Sequence, residues 1–481
     1  MIGNGIHAAS TPGDRIESDF LGERRVPARV YWGVHTARAL ENFPISGIPI
    51  SAHRSLIAAL GAVKQAAVRA NLDLGLIDAE MATVIDRACQ EVRDGLLDAE
   101  FVVDVVQGGA GTSTNMNANE VIANRALELR GLPLGSYDQI NPNDHINRSQ
   151  STNDVYPTAV KVALLFTLDE MAAALGRLGD AFAAKAEEFR GVVKIGRTQL
   201  QDAVPMTVGQ EFGSWAANLV EEQARISDTC ALLREVNLGA TAIGTGITTV
   251  PGYGAAVTQH LREITGLPLV SAPDLVEATS DTGSFVQLSG VLKRIMVKVS
   301  KICNDLRLLS SGPYAGLGEL RLPPRQAGSS IMPGKVNPVI PEVVNQVAFA
   351  VVGNDITVTM AAEAGQLQLN AFEPVICHSL LQSISWMTRA FESLTTRCVA
   401  GIQINRERLL ALSAGGTGVV TALAPYLGYA VASQIASAVA AGRGDLRNLV
   451  LETGLVDPDR LDELLEPGTL AAGSNNAASA E

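Results

Sequence analysis

The sequence is poor in aromatic residues and in the side chains that usually bind metal ions. Only 4% of its 481 residues are aromatic. Its five cysteines are scattered and form no CxxC pair, a usage that favours a reduced, cytoplasmic protein over a disulfide-bonded secreted one. Its six histidines show no metal-ligand spacing, so no metal site is predicted.

Long basic runs and long apolar runs are lacking as well. The formal net charge is −13, and no Lys/Arg run is long enough to form a nucleic-acid-binding face. No uninterrupted run of about 18 apolar residues occurs, so no membrane span is expected. The N-terminus "MIGNGIHAAS" has neither a basic segment nor an apolar core, and no signal peptide is predicted. An anionic small molecule is still allowed as a substrate, because a local pocket can be positive on an acidic protein.

Apolar residues recur at heptad spacing in two stretches of the middle of the chain. The first stretch contains Leu164, Leu168, Met171, Leu175, Leu178 and Phe182. The second contains Phe285, Leu288, Leu292, Ile295, Val299, Ile302, Leu306 and Leu309. Sustained heptads indicate long helices packed at shallow angles, and two further long helices are predicted near 206–235 and 338–369. The expected fold is therefore all-α, with a central bundle of about five long helices over about 153–407.

Three domains and a homo-oligomer are predicted from the same pattern. An N-terminal helical and loop domain is expected over 1–152, a central helix-bundle domain over 153–407, and a small C-terminal helical domain with a flexible tail over 408–481. The second heptad helix carries additional apolar residues outside its seam, namely Val286, Val291, Met296 and Val297. A helix that is apolar on several faces is buried on several sides, which favours neighbouring copies of the chain arranged with dihedral symmetry.

The loop "AGSSIMPGKVNPV", residues 327–339, is rich in Gly, Ser and Pro and lies between two predicted long helices. One interpretation is a flexible connection, which this composition alone supports. The other is an anion site, because the loop leads into a helix N-terminus whose free N–H groups favour negative charge. Lys335 lies beside that end, and Gly328 and Gly334 allow the hinge motion of a lid.

Three other segments place small hydroxyl and amide side chains beside glycines at helix ends. They are "GGAGTSTNMNANE" (108–120), "SQSTNDVYPT" (149–158) and "GRTQLQDAVPMTVGQEF" (196–212). Taken singly, they are turns and helix caps, the first of them before a helix that begins near Met116. Taken together with the loop, they can bind a small polyanion through hydrogen bonds, with one Lys supplying charge.

In their order along the chain, "GGAGTSTNMNANE", "NPNDHIN", "STNDVYPT", "GRTQLQDAVP" and "GSSIMPGKVNP" resemble the segments of the aspartase/fumarase superfamily. The resemblance runs from about Asp19 to about residue 465. The segments "NPVIPEVVNQV", "GQLQLNAFEPV" and "EVNLGATAIGTG" are more similar to aspartases than to class II fumarases. The resemblance implies reversible deamination of L-aspartate to fumarate and ammonia without an organic cofactor. It also implies a homotetramer with a twenty-helix core, in which three subunits assemble each active site.

The resemblance implies a role for each site residue. Ser329 corresponds to the base that removes the β-proton. Four residues correspond to those around the β-carboxylate, namely Thr112, Ser151, Thr152 and Ser330. Lys335 and Asn337 correspond to ligands of the α-carboxylate, and three residues to contacts of the amino group or a nearby carboxylate, namely Asn153, Thr198 and Gln199. The lid loop comprises Gly328, Ile331, Met332, Pro333 and Gly334.

Some questions stay open at this level. Many superfamily members carry His where Gln199 stands, so no general acid is named. His145 resembles part of a second, peripheral dicarboxylate or activator site, and equally a loop histidine bonded to Asp144 or to the backbone. Divalent-cation activation is known in the superfamily, but no ligand set here predicts it. The alternatives to deamination are a class II fumarate hydratase and a non-catalytic scaffold of the same fold.

Overall fold

Helices dominate the part of the chain that the structure, a computed structural model, describes, namely residues 13–414, 417–466 and 469–470. The helices are α1 (Val34–Asn42), α2 (Arg54–Asp73), α3 (Ala79–Arg93), α4 (Thr112–Leu129), α5 (Thr152–Glu188), α6 (Val208–Leu233), α7 (Tyr253–Thr265), α8 (Leu275–Ser280), α9 (Gly283–Leu309), α10 (Val339–Glu363), α11 (Glu373–Arg397), α12 (Arg406–Ala414), α13 (Thr417–Leu427), α14 (Tyr429–Ala440), α15 (Leu446–Glu452) and α16 (Pro458–Leu465). The predicted all-α class is confirmed.

In the residues that the structure describes, short strands also form four two-stranded ladders. The strands are β1 (Asp14–Asp19), β2 (Gly22–Pro27), β3 (Val193–Thr198), β4 (Gln201–Thr207), β5 (Glu235–Val236), β6 (Val270–Ser271), β7 (Leu320–Arg321) and β8 (Gln403–Ile404). β5 pairs with β6 in parallel, and the other three pairs are antiparallel. A two-stranded ladder buries too little to form a core of its own, so these strands connect and brace the helices.

The chain forms two compact units. The first contains the described part of residues 1–171 together with 225–294 and 350–386, and the second contains 172–224, 295–349 and the described part of 387–481. The long helices α5, α6, α9, α10 and α11 each contribute residues to both units. These units follow from spatial clustering, and the domain boundaries expected after residues 152 and 407 stay a prediction.

In the second unit, the long helices pack side by side through apolar and polar contacts. Phe182 of α5 contacts Trp215 of α6, with ring centroids 5.7 Å apart. Lys298 of α9 pairs with the buried Glu222 of α6 at 2.6 Å, and Asn345 of α10 donates to the Ser300 hydroxyl of α9 at 2.8 Å. The predicted bundle of long helices is therefore present in this unit.

The first unit contains the shorter N-terminal helices and the remaining parts of the long ones. Here Asp355 of α10 accepts a hydrogen bond from Ser289 of α9 at 2.8 Å, and Asn354 of α10 donates to Ser383 of α11 at 3.0 Å. All the seam residues of both predicted heptad stretches are buried. Heptad spacing therefore located the core faces of α5 and α9 correctly, because residues three and four apart lie on one side of a helix.

The helix α10 is unusually apolar. By length and composition it could cross a membrane, and the bent pair Arg406–Ser413 and Gly418–Leu427 would be a second candidate if counted as one span. A core helix of a soluble protein passes the same test, so one or two such helices are weak indications. Only 33% of the most apolar window of α10 is buried within the chain, which leaves an apolar surface on this helix.

Candidate active site

The predicted lid loop is closed at its base by its own hydrogen bonds. The Gly328 N–H donates to the Lys335 carbonyl at 2.7 Å, and the Asn337 side-chain amide donates to the Gly328 carbonyl at 3.0 Å. A Cβ on Gly328 would lie 2.7 Å from the Lys335 carbonyl oxygen, so a larger residue would open this closure. Gly334 adopts a φ of +78°, in the left-handed region where glycine is favoured.

The Ser329 hydroxyl oxygen lies inside this loop and faces two backbone donors. Its Oγ accepts hydrogen bonds from the N–H groups of Ile331 at 3.1 Å and Met332 at 3.0 Å. Hydrogen bonds to an oxygen are stronger when that oxygen is charged, so two such donors favour an alkoxide. Ser329 is half-buried, whereas Ser330 and Lys335 are exposed in the described chain. The loop thus holds the predicted base in an environment that suits an anion.

The N-terminus of α5 carries three predicted site residues. Ser151 caps the helix, because its Oγ accepts from the Asn153 N–H at 3.3 Å while Asp154 accepts from the Ser151 N–H at 2.9 Å. This reciprocal pattern resembles a capping box, with Asn153 rather than Asp154 donating to the cap oxygen. Since the Ser151 oxygen is an acceptor in the cap, its own proton is left to donate to a ligand. Burial raises the pKa of Asp154, and its backbone hydrogen bonds, among them one from Thr241, oppose that rise.

Thr152 and Asn153 present complementary atoms beside that cap. Thr152 Oγ1 accepts from the Asn115 side-chain amide at 3.1 Å, so its proton also remains available to donate. Asn153 Nδ2 donates to the Ala242 carbonyl at 2.7 Å. Its Oδ1 is therefore the side-chain atom left to accept a hydrogen bond, which suits contact with an ammonium group.

Thr112 lies at the start of α4, after a turn that requires glycine. Gly111 has a φ of +88°, and a Cβ there would lie 2.5 Å from the Tyr156 ring. The Thr112 hydroxyl donates to the Gly109 carbonyl at 2.7 Å, so a carboxylate ligand would have to replace that acceptor. The helix begins at Thr112 rather than near Met116 as expected, because its polar first turn carries no apolar periodicity from which a start can be predicted.

Thr198 and Gln199 lie at the tip of a β-hairpin rather than in an irregular loop before α6. Thr198 ends β3 and pairs with Gln201 of β4. The two turn residues, Gln199 and Leu200, have φ values of 53° and 65°. Two consecutive positive φ angles are typical of a type I′ turn. Its usual Asn-Gly or Gly-Gly sequence is absent here, so no hairpin could be predicted from these residues.

A buried polar network lies behind Thr152, and sequence reasoning missed it. Lys64 of α2 donates to Asn147 Oδ1 and to Gln150 Oε1, both at 3.0 Å. Asn147 Oδ1 also accepts from the Asn115 amide at 3.1 Å. Desolvation lowers the pKa of Lys64 to about 7, and the Asp154 carboxylate opposes this shift. The available signal was Lys64, the one charged residue in the mostly apolar run "LIAALGAVKQAAV".

His145 has a structural partner. Its Nδ1 accepts a hydrogen bond from the Asn141 backbone N–H at 2.8 Å, which is the backbone alternative raised for this histidine. Burial lowers the pKa of His145, and the nearby Asp144 opposes that shift. A role of His145 in a peripheral ligand site stays untested by this contact.

The predicted site residues fall into two sets, one in each unit. Thr112 and residues 151–153 belong to the first unit, and residues 198–199 and 328–337 belong to the second. A cavity of about 450 Å³ in the second unit, near the base of the β3–β4 hairpin, is lined by none of them. Among the described residues, no group of three or more His, Cys, Asp or Glu side chains could hold a metal ion. The predicted lack of a metal site and of cofactors stays a prediction.

Two family models match the sequence. A model described as "Lyase" matches residues 22–353, which is more than half of the chain. A model described as "Fumarase C C-terminus" matches residues 419–472. The two matches together include both sets of predicted site residues.

Curated and solved relatives are similar over nearly the whole chain. A protein named aspartate ammonia-lyase from Pseudomonas canavaninivorans is 55% identical over 95% of this chain and 97% of its own length. A cobalt-bound crystal structure described as "fumarate lyase:delta crystallin" from Brucella melitensis is 54% identical, with a TM-score of 0.93 over 95% of this chain and 99% of that one. A class II fumarase from Schistosoma mansoni is 33% identical, with a TM-score of 0.91 over 96% of this chain and 100% of that one.

Proposed function

Because this chain belongs to the lyase family that includes the aspartate ammonia-lyases, we propose that it converts L-aspartate reversibly into fumarate and ammonia. The difficult step is removal of a proton from Cβ, next to a carboxylate. That C–H bond is very weakly acidic, and the product carries two negative charges on one carboxyl group. Preorganised hydrogen-bond donors are the physical means of stabilising such an aci-carboxylate.

The environment of the Ser329 hydroxyl carries this proposal. A neutral serine is a poor base, so it must act as an alkoxide whose pKa is lowered by its surroundings. The Ile331 and Met332 N–H groups both point at its Oγ. Lys335 in the same loop and the N-terminus of α10, which begins at Val339, add positive potential. The Cβ proton then moves to Ser329 Oγ, while the C–H electron pair moves into the β-carboxylate.

The remaining predicted residues bind the two carboxylates and the amino group. The Ser151 and Thr152 protons, left free by the contacts of their oxygens, donate to the β-carboxylate, together with Thr112 after its hydroxyl rotates, and Ser330. Lys335 and Asn337 bind the α-carboxylate. The Asn153 Oδ1, Thr198 and Gln199 contact the amino group or the nearby carboxylate. Gln199 is not acidic enough to protonate the leaving amine, which we expect to depart as ammonia or already as ammonium.

Deamination is favoured over the hydration of fumarate by the degree of similarity. The relative named aspartate ammonia-lyase is 55% identical, whereas the class II fumarase is 33% identical at comparable coverage. Both reactions remove a proton next to a carboxylate, so the donors described above suit either. The two reactions differ in the leaving group, which is an amine in deamination and a hydroxyl in the reverse of hydration. The experiment must therefore identify the leaving group.

We propose a homotetramer with shared active sites, and the exposed apolar surface of the long helices supports it. On α10, Phe349 and Met360 are each 67% exposed and Ile356 is 58% exposed. On α9, the additional apolar residues Val291 and Met296 are buried by the chain itself, but Val297 is 54% exposed. Exposed apolar stripes of this size need a partner. Five long helices from each of four copies would form the expected twenty-helix core, and three copies would assemble each site.

The protein is proposed to act in the cytoplasm and without an organic cofactor. Its five cysteines are all buried free thiols, as expected in a reducing compartment. The reaction needs a base and anion-stabilising donors and transfers no electrons to an acceptor, so the chain's own residues can carry it.

The proposal is tested by following fumarate formation through its ultraviolet absorbance, with purified protein and either L-aspartate or L-malate. We expect fumarate from L-aspartate only. A Ser329→Ala variant should lose at least about a hundredfold in kcat, because general base catalysis contributes roughly 10²–10⁴-fold. Fumarate from L-malate alone would make the protein a fumarase. Wild-type turnover by Ser329→Ala would refute this serine as the base.

A further inference from the structure

The buried lysine of α2 helps to set the direction of a series of hydrogen bonds that ends at the predicted substrate donor Thr152. Lys64 is 1% exposed, and its Nζ contacts two amide oxygens, Asn147 Oδ1 and Gln150 Oε1, at 3.0 Å each. An amine is a donor at both contacts whether it is charged or neutral, since both forms carry at least two N–H bonds. The oxygen of the Asn147 amide must therefore face Lys64.

The orientation of Asn147 determines that of the next groups in this series of hydrogen bonds. Because the Asn147 oxygen faces Lys64, Asn115 must present its NH₂ group to that oxygen, at 3.1 Å. The same NH₂ group lies 3.1 Å from Thr152 Oγ1. Thr152 is then an acceptor toward Asn115, and its own proton must point elsewhere. Reversing Asn115 would place its oxygen against the Asn147 oxygen. Reversing Asn147 would place its NH₂ group against the Lys64 N–H groups and its oxygen against the Gln150 carbonyl, to which Asn147 Nδ2 donates at 3.2 Å. Either reversal costs buried hydrogen bonds.

We propose that Lys64 is a positioning residue of the reaction, which acts through Asn147 and Asn115 to hold the Thr152 hydroxyl as a donor toward the β-carboxylate. The inference rests on the proposed function, because the donor is useful only where negative charge develops on a carboxylate. A hydroxyl that is already oriented needs no reorganisation when that charge appears. Asp154, which is fully buried nearby, supplies the counter-charge that helps to retain the ammonium in this site.

The test is a double-mutant cycle of Lys64→Met and Thr152→Val, with kcat and KM measured separately. Lys64→Met removes one donor and keeps a long side chain, so the Asn147 amide is held less firmly. The Asn119 amide at 3.1 Å and the bond from Asn147 Nδ2 to the Gln150 carbonyl at 3.2 Å remain. We expect kcat to fall by about a hundredfold or more in Thr152→Val and by about tenfold in Lys64→Met, with a smaller change in KM. The double variant should be no slower than Thr152→Val, because Lys64 acts through that hydroxyl. Additive losses, or full activity of Lys64→Met, would overturn the proposal.

The matched control is Lys161→Met. Lys161 is a lysine of α5 that is 8% exposed and donates to the Glu235 backbone carbonyl at 2.8 Å, so its removal also deletes a buried ammonium. It has no contact with Thr152, and we expect its effect on kcat to add to that of Thr152→Val. If Lys64→Met does not fold, Asn115→Leu replaces it in the same cycle and should likewise show no additional loss.

The failure of this inference can be separated from failure of the proposed function. The cycle is measured with L-aspartate and repeated with L-malate, since both substrates carry the carboxylate next to the proton that is removed. Activity on L-malate alone would refute deamination, yet the non-additivity of the cycle would still support Lys64. Activity on L-aspartate with an additive cycle would refute the role of Lys64 alone.

Discussion

At the scale of single residues, burial rather than charge pairing governs Glu373 and Lys161 of the first unit. Desolvation raises the pKa of Glu373 to about 8, against the opposing effect of Lys161. Desolvation also lowers the pKa of Lys161 despite its carboxylate neighbours. Both shifts disfavour the charged forms, so Glu373 at the start of α11 is expected to be protonated at neutral pH.

This shift predicts how stability depends on pH. A carboxyl group whose pKa is raised on folding binds more protons in the folded state than in the unfolded state. The free energy of unfolding is therefore highest below the pKa of the unfolded state, and it falls as the pH rises from there to the folded-state pKa of about 8. The loss amounts to about 1.4 kcal/mol for each pH unit in that window. We expect Glu373→Gln to lack this dependence and to melt at a higher temperature than the wild type above about pH 8.

The measurement is the melting temperature of both proteins across that pH range. The difference between them cancels the contributions of groups that the substitution leaves unchanged. A constant difference between wild type and variant from the acidic to the alkaline end would contradict a protonated Glu373.

At the scale of elements, the β3–β4 hairpin depends on buried ion pairs at its base. Lys194 of β3 pairs with Glu211 of α6 and with Glu319, each at 2.9 Å, and Arg197 pairs with Glu319 at 2.5 Å. Glu319 precedes β7, on the segment that leads to the lid loop. The network therefore connects the hairpin that carries Thr198 to the chain that carries the predicted base.

Glu319→Gln is expected to loosen this hairpin. It would leave two buried cations with a single carboxylate, and breaking a buried ion pair costs about 3–5 kcal/mol. Because the hairpin tip carries Thr198 and Gln199, we also expect KM for L-aspartate to rise. Urea unfolding and steady-state kinetics measure the two effects.

Glu187→Gln provides the control for that variant. Glu187 pairs with Arg190 on the same unit, but their side chains are 66% and 75% exposed. Exposed pairs contribute about 0–1 kcal/mol, so neither stability nor KM should change appreciably. Equal effects of Glu319→Gln and Glu187→Gln would mean that burial does not decide the importance of these pairs.

At the scale of the whole molecule, the proposed tetramer is needed to cover α10. Phe349→Glu would place a charge on its exposed apolar surface, where desolvating the carboxylate opposes association. We expect smaller assemblies by analytical ultracentrifugation and at least about tenfold lower activity, because incomplete sites lose donors. Phe349→Leu, which keeps an apolar side chain, should remain tetrameric and active. A Phe349→Glu variant that stays tetrameric would exclude this face from the interface.

The sequence alone determined the long helices and the candidate loop, because both depend on local spacing. The heptad seams of α5 and α9 are buried as expected, since residues three and four apart share a helix face wherever the helix packs. The loop 328–337 was recognisable from Gly328, Gly334 and Lys335, because these residues lie close together in the sequence. Ser151 was likewise identified as a helix cap from its neighbours.

Only the tertiary structure decided which hydroxyl protons of the site residues remain available for hydrogen bonds to a substrate. The Thr152 proton is freed by Asn115, 37 residues away. The orientation of that amide depends on Asn147, which is held by Lys64, 83 residues away, and by the Gln150 carbonyl. The β3–β4 hairpin similarly depends on Glu319, which follows far along the chain. Hydrogen-bond direction and desolvation are set by partners that meet only on folding, so they cannot be predicted from local sequence patterns.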